Sequence, residues 1–200
     1  SNYLLNYSSY INDVKFSLGD PSILRYYSSN QEKNWKITLV NTGEEAHTGA
    51  RIFRCQKYID TDDFMVSYSD SLSDINFDSL LKLHQKEKKI ATVTAVSPPF
   101  RYGEFIIKNN KVVDYLPISK LTAINGYVNG GYMIFNKRIF NYLESYNECT
   151  LESEVFKALT KKEELNVYKH DKFWQCLDND REYEYLNKLC ENNQRHWLIK

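Results

Sequence analysis

Two hundred residues, 42% hydrophobic and 26% charged, form a globular composition long enough to bury one core. The 26 basic and 26 acidic residues cancel without a long block of one sign, which excludes a nucleic-acid or anionic-membrane footprint and favours a small polar ligand or a protein partner. No run approaches the roughly 18 apolar residues of a membrane span, the polar, tyrosine-rich opening is unlike a signal peptide, and Cys55, Cys149, Cys176 and Cys190 lie far apart, so the expectation is a cytoplasmic protein with reduced thiols and no zinc site.

In chain order, Lys36 to Val40 (KITLV), Phe64 to Tyr68 (FMVSY) and Ile90 to Val96 (IATVTAV) are rich in β-branched or apolar residues and predict strands. Between them, Ile52, Phe53, Tyr58 and Ile59, and then Phe77, Leu80, Leu81, Leu83 and His84, recur near helical spacing. Strand, helix, strand, helix, strand predicts parallel βαβ units. Tyr102 to Lys108 and Lys111 to Leu116 flank Asn109-Asn110 and predict an antiparallel hairpin. Tyr127 to Phe135 predicts a strand interrupted at Asn129-Gly130-Gly131, where glycines signal a bulge or a ligand pressed against the backbone. Leu151 to Thr160 and Asp180 to Asn192 predict helices around a strand at Leu165 to His170. One domain, residues 1–200, is expected.

Three segments carry candidate chemistry. Tyr68-Ser69-Asp70-Ser71 ends a hydrophobic strand in a carboxylate, where open α/β sheets bind ligands, although Asp and Ser also favour plain turns and caps. Phe173 to Asp178 delivers a second carboxylate before a helix that Asp178 could equally cap. If the two converge, Mg²⁺ could bind there, with water and phosphate oxygens completing its shell. The third segment, Asn41 to Arg51, is a polar loop entering a helix, suited to an anion or a nucleobase or serving only as a connection. His47, His84, His170 and His196 lack metal-ligand spacing and read as structural; Trp174 and Trp197 read as core anchors.

The ordered set W-K-I-T-L-V-N-T-G, T-G-A-R-I, Y-S-D-S, A-T-V-T-A-x-x-P-P, N-G-G and F-W-Q-x-L-D resembles the glucose-1-phosphate cytidylyltransferases, sugar-phosphate nucleotidyltransferases with a Rossmann-like fold, from about Tyr3 to Lys200. The resemblance implies a mixed, mainly parallel central sheet flanked by helices. It also implies Mg²⁺-assisted attack of a sugar 1-phosphate on the α-phosphate of CTP, giving a CDP-sugar such as CDP-glucose for nucleotide-sugar and lipopolysaccharide O-antigen synthesis. By position, Asp70 and Asp178 would be the catalytic metal ligands, Thr48, Arg51 and Ser69 would meet the nucleotide, and Asn129, Gly130 and Gly131 would line the sugar-phosphate site. A homo-oligomer is also implied.

The departures are specific. The family's glycine-rich G-G-x-G-T-R loop has no counterpart, because Tyr3 aligns beyond it, so an N-terminally truncated fold is expected; the chain opens on Ser, which need not be a natural start. Pro117-Ile118-Ser119 replaces the E-K-P tripeptide, with Lys120 out of register, and Ser69, Ser71 and Ala50 add bulk at glycine positions. These losses keep open a second reading, a catalytically degenerate nucleotidyltransferase-like binding or assembly module.

Overall fold

The computed structural model describes residues 2–20, 22–27, 34–98, 104–108, 111–116 and 126–198. They divide into two units, Ser1–Asn41 and Thr42–Lys200. In the first, two short helices, α1 (Asn2–Leu5) and α2 (Tyr7–Ile11), precede an antiparallel hairpin of β1 (Asp13–Phe16) and β2 (Leu24–Tyr27). Asp20 shapes the connection by accepting from Ser22 N at 3.0 Å and Ser22 Oγ at 2.7 Å, bonds that hold its carboxyl below the usual range. Tyr3 stacks on Tyr10 at 5.4 Å, and Ser9 Oγ meets the Tyr26 hydroxyl at 2.9 Å. No described residue of this unit is buried, so its order rests on local contacts.

The strand expected at Lys36 to Val40 is not formed. Residues 35–43 hold no regular element, and Trp35, Ile37 and Leu39 are exposed. Apolar alternation makes a strand only where another strand completes its hydrogen bonds, and no described strand runs beside this segment.

The second unit begins with α3 (Thr48–Cys55), which tightens into a 3₁₀ turn (Gln56–Tyr58), followed by β3 (Asp63–Ser67), β4 (Ser71–Ser73), α4 (Phe77–Glu87) and β5 (Ala91–Val96). A hairpin of β6 (Glu104–Lys108) and β7 (Lys111–Leu116) follows, antiparallel as expected; its Asn109-Asn110 turn lies outside the described residues. Then come β8 (Val128–Asn136), a 3₁₀ turn (Lys137–Asn141), a π-helical turn (Leu151–Val155), α5 (Phe156–Lys161), β9 (Leu165–His170), β10 (Trp174–Cys176) and α6 (Asp180–Glu191).

The central sheet has the order β3-β8-β5-β9. Strands β5 and β9 pair in parallel from Ala91↔Leu165 to Val96↔His170, whereas β8 is antiparallel to both β3 and β5. The sheet is mixed, as expected, with two antiparallel pairings and one parallel. Strands β3, β5 and β9 run the same way, but β8, returning after the hairpin, enters between the first two. Along β5 successive side chains face opposite layers. Ala91 joins the apolar cluster of Phe135, Leu151, Val155 and Leu159, while Thr92 Oγ1 meets His84 Nδ1 of α4 at 2.9 Å. Covered on both faces, five of the six β5 residues are buried.

The helix boundaries follow from capping. Asn76 accepts from Ser79 N at 2.8 Å to start α4, and Lys88, left-handed at φ 53°, ends it by donating its N–H to His84 O at 2.9 Å. Asn179 accepts from Glu182 N at 3.1 Å to start α6, and Glu182 reaches back to accept from Asp178 N at 2.8 Å, a capping box displaced by one residue.

Candidate functional site

Two three-residue strands bring the two aspartate-bearing segments together. After β3 the chain turns through Ser69 and Asp70 into β4, which pairs antiparallel with β10 as Ser71↔Cys176, Leu72↔Gln175 and Ser73↔Trp174. Leu177 N donates to Asp70 O at 2.7 Å and closes that ladder, so Asp70 faces the residue preceding Asp178. Ser69, Asp70 and Asp178 are all exposed. Within reach of Asp178 lie Cys176 and Glu182, one ligand atom of each falling within 4.8 Å of the others.

The Asn129-Gly130-Gly131 segment abuts both aspartate-bearing strands. The register of β5 against β8 slips from Val93↔Met133 to Ala95↔Asn129, which is a bulge. Thr94 Oγ1 repairs it by donating to Tyr132 O at 2.8 Å and lying 3.3 Å from Tyr132 N. A Cβ on Gly130 would meet Val96 Cγ1 at 2.7 Å, and Gly131 has φ +81°, so both positions demand glycine without any ligand. Tyr68 N donates to Gly131 O at 2.8 Å, Trp174 Nε1 to Gly130 O at 2.8 Å, and the Tyr132 hydroxyl to Ser71 O at 2.8 Å. Asn129 spends its Oδ1 on Gly131 N at 3.0 Å.

Thr48 joins this group through a residue the sequence did not flag. The Glu152 carboxylate accepts from Thr48 Oγ1 at 3.2 Å and from the Tyr68 hydroxyl in a short bond, while Thr48 Oγ1 also accepts from Leu151 N at 3.0 Å. Burial, then the Glu152 carboxylate, pushes the Tyr68 hydroxyl well above its ordinary range, keeping it a proton donor. Glu152 lies 104 residues from Thr48, beyond any spacing rule. Glu182 was more accessible, standing three residues after Asn179 in a capping pattern.

Arg51 turns instead to its own loop, donating to Thr42 Oγ1 at 3.0 Å and Glu44 O at 2.9 Å. Ala50 is fully buried in the core and Gly49 lies against Cys149, whose Sγ is 2.7 Å from a Cβ built there. The methyl at position 50 therefore fills the core and adds no bulk to the surface. Ser71 Oγ is buried without a hydrogen-bond partner among the described residues. Pro117-Ile118-Ser119 and Lys120 lie outside the described residues.

His170, 6% exposed, places Nε2 3.0 Å from both Asp74 Oδ1 and Phe173 O and 3.3 Å from Ser73 Oγ. A Ser-His-Asp relay uses opposite ring nitrogens, so these contacts on one nitrogen brace β4 against β10 rather than activate a nucleophile. No helix among the described residues is long and apolar enough to cross a membrane.

Residues 19–190 match the family described as Nucleotidyl transferase. The chain belongs to this nucleotidyl transferase family. It is 31% identical over 169 residues to a probable glucose-1-phosphate cytidylyltransferase of Bacillus subtilis (strain 168), covering 84% of the chain and 65% of that relative. It is 29% identical over 196 residues to the glucose-1-phosphate cytidylyltransferase of Salmonella typhimurium (strain LT2), covering 98% of the chain and 74% of that protein. The chain thus spans about two thirds to three quarters of these relatives' lengths. Among solved structures, a putative glucose-1-phosphate thymidylyltransferase from Bacillus anthracis superposes with a TM-score of 0.56 at 17% identity, over 75% of this chain and 63% of that one, a likeness of fold. The mixed sheet with helices on both faces is therefore the nucleotidyltransferase architecture.

Proposed function

We propose that this chain carries out cytidylyl transfer from CTP to a sugar 1-phosphate, with glucose 1-phosphate as the acceptor. A phosphate oxygen of the sugar would form a bond to the α-phosphorus of CTP as the bond to the bridging oxygen breaks. CDP-glucose forms, and pyrophosphate leaves with the electron pair. The observation that carries this reading is the Leu177 N to Asp70 O bond of 2.7 Å, which closes the β4–β10 ladder with both aspartate-bearing segments at one end. The two cytidylyltransferase relatives support the choice of base and sugar.

Asp70 and Asp178 offer exposed oxygen donors of the kind a hard cation takes, with the half-buried Glu182 beside the latter, whereas the Cys176 thiol does not suit Mg²⁺. Carboxylates at both positions suit such an ion, and in this reading Asp70 and Asp178 would hold it. When bound, it would neutralise the charge of the nucleotide phosphates. In this reading Thr48 and Ser69 face the nucleotide, with Thr48 oriented by Glu152, and Asn129, Gly130 and Gly131 shape the sugar-phosphate side from beneath, their glycines buried and bonded to Trp174 and Tyr68.

Product formation from CTP, UTP, GTP or ATP with several sugar 1-phosphates and Mg²⁺, followed by anion-exchange chromatography, tests this directly. A CDP-sugar above an Asp70→Asn control supports it; no nucleotide sugar in any combination sinks it. The second reading, a non-catalytic module, draws on Arg51, whose guanidinium is engaged with Thr42 and Glu44 instead of open to a ligand.

A further inference from the structure

We propose that the opposite edge of the central sheet carries a second ligand site, for a small phosphorylated anion, in the cavity walled by Asp63, His84, Lys88, Lys89, Asn136 and Arg138. This cavity of about 340 Å³ is large enough for a small molecule. Its position is fixed by strand register. Asp63 opens β3 and pairs with Asn136, whereas Ser67 ends β3 and pairs with Tyr132. At about 3.3 Å per residue the strand puts roughly 13 Å between those ends, and Asp70 lies beyond the far one.

The lining is cationic and braced. Among the lining residues Lys88, Lys89 and Arg138 accompany one carboxylate, Asp63, whose Oδ1 accepts from Asn136 Nδ2 at 2.7 Å and lies 3.4 Å from His84 Nε2. Arg138 donates from Nε to Asn136 Oδ1 at 3.0 Å and from one terminal nitrogen to Lys88 O at 3.0 Å; its other terminal nitrogen lies 3.8 Å from Glu164 Oε1. The guanidinium is thus fixed in the cavity wall by its own contacts, so Lys88 and Lys89 are the groups a ligand would meet directly. The two lysines follow the C-terminal end of α4, where helix carbonyl dipoles favour cations. Beneath them His84, 2% exposed, is fixed by Thr92 at 2.9 Å. Two ammonium point charges beside an anchored guanidinium suit the compact charge of a phosphoryl group.

The probe is inorganic pyrophosphate without metal, titrated calorimetrically into the full chain; because pyrophosphate is also the leaving product of the proposed reaction, the lysine and aspartate variants tell the two sites apart. Saturable binding is expected, weakened at least about tenfold in a Lys88→Asn/Lys89→Gln variant and unchanged in Asp70→Asn/Asp178→Asn. In the unsubstituted chain, pyrophosphate should also protect Lys89 from amine acylation, read by peptide mass, a result that does not depend on a variant folding. The proposal is overturned by the absence of saturable binding, by binding that survives the lysine changes, or by binding that disappears with the aspartate changes. A tricarboxylate binding as tightly would overturn the phosphoryl assignment.

Discussion

The same strands β3 and β8 end in opposite chemistry. Where β3 runs out, a turn and a short ladder present exposed carboxylates, with glycine backbone close by. Where β3 begins, Asp63 is engaged by Asn136, and cations from α4 and the turn after β8 surround it. Neither charge set arises from overall composition, which is neutral. Strand direction does the sorting: residues three or more beyond the end of a parallel strand gather on one edge, and those preceding it gather on the other. Functional charge in such a fold is thus read by edge, while the net value conceals it.

The sharpest way to break this comparison is to neutralise one edge. Asp70→Asn or Asp178→Asn is expected to cut nucleotidyl transfer by on the order of 10²–10³-fold, measured by product formation, with pyrophosphate binding at the opposite edge preserved. Next in size is Gly130→Ala. Its methyl would collide with Val96 Cγ1 and Thr94 Oγ1, so a loss of about 2–3 kcal/mol in urea unfolding is expected. A stability within about 0.5 kcal/mol of the parent would show that the bulge yields easily.

Tyr68→Phe is expected to cost roughly 1.5 kcal/mol at neutral pH by removing the bond to Glu152. Its pH dependence carries a definite sign. The folded hydroxyl titrates above its unfolded value near 10, so the contribution is complete below that value and is lost as pH rises towards the folded one. Urea unfolding from pH 8 to 11 should therefore show the gap between parent and variant narrowing at the alkaline end; a constant gap would contradict the assignment. The smallest effect is Asn76→Ala, about 1 kcal/mol for the lost α4 cap, with no change in turnover.

Much of the fold could be read in the sequence because its signals are local. The β9 strand is formed as predicted at Leu165–His170, and β5 and β8 are displaced by only one residue. Lys36 to Val40 was misread for the same reason: its composition favours a strand, yet composition does not record whether a partner lies alongside. The glycine pair was legible as a bulge, although only the structure reveals that Val96, Thr94 and Tyr68 occupy the space that side chains there would need. Asp70 and Asp178 stood out as candidates by their flanking motifs, while Glu152 did not, because a contact across 104 residues leaves no periodicity.

The bulge also acts as a latch on β8. Three residues opposite one cannot slide along β5 without expelling Thr94 from its seat against Tyr132. A change in chain length between Val96 and Val128 would therefore have to be taken up before the Val96↔Val128 pair, because the latch at Gly130 to Tyr132 holds the register that sets Gly130 and Gly131 against Trp174 and Tyr68. The excursion is a place where this fold can acquire or lose residues while the two aspartate-bearing strands keep their alignment.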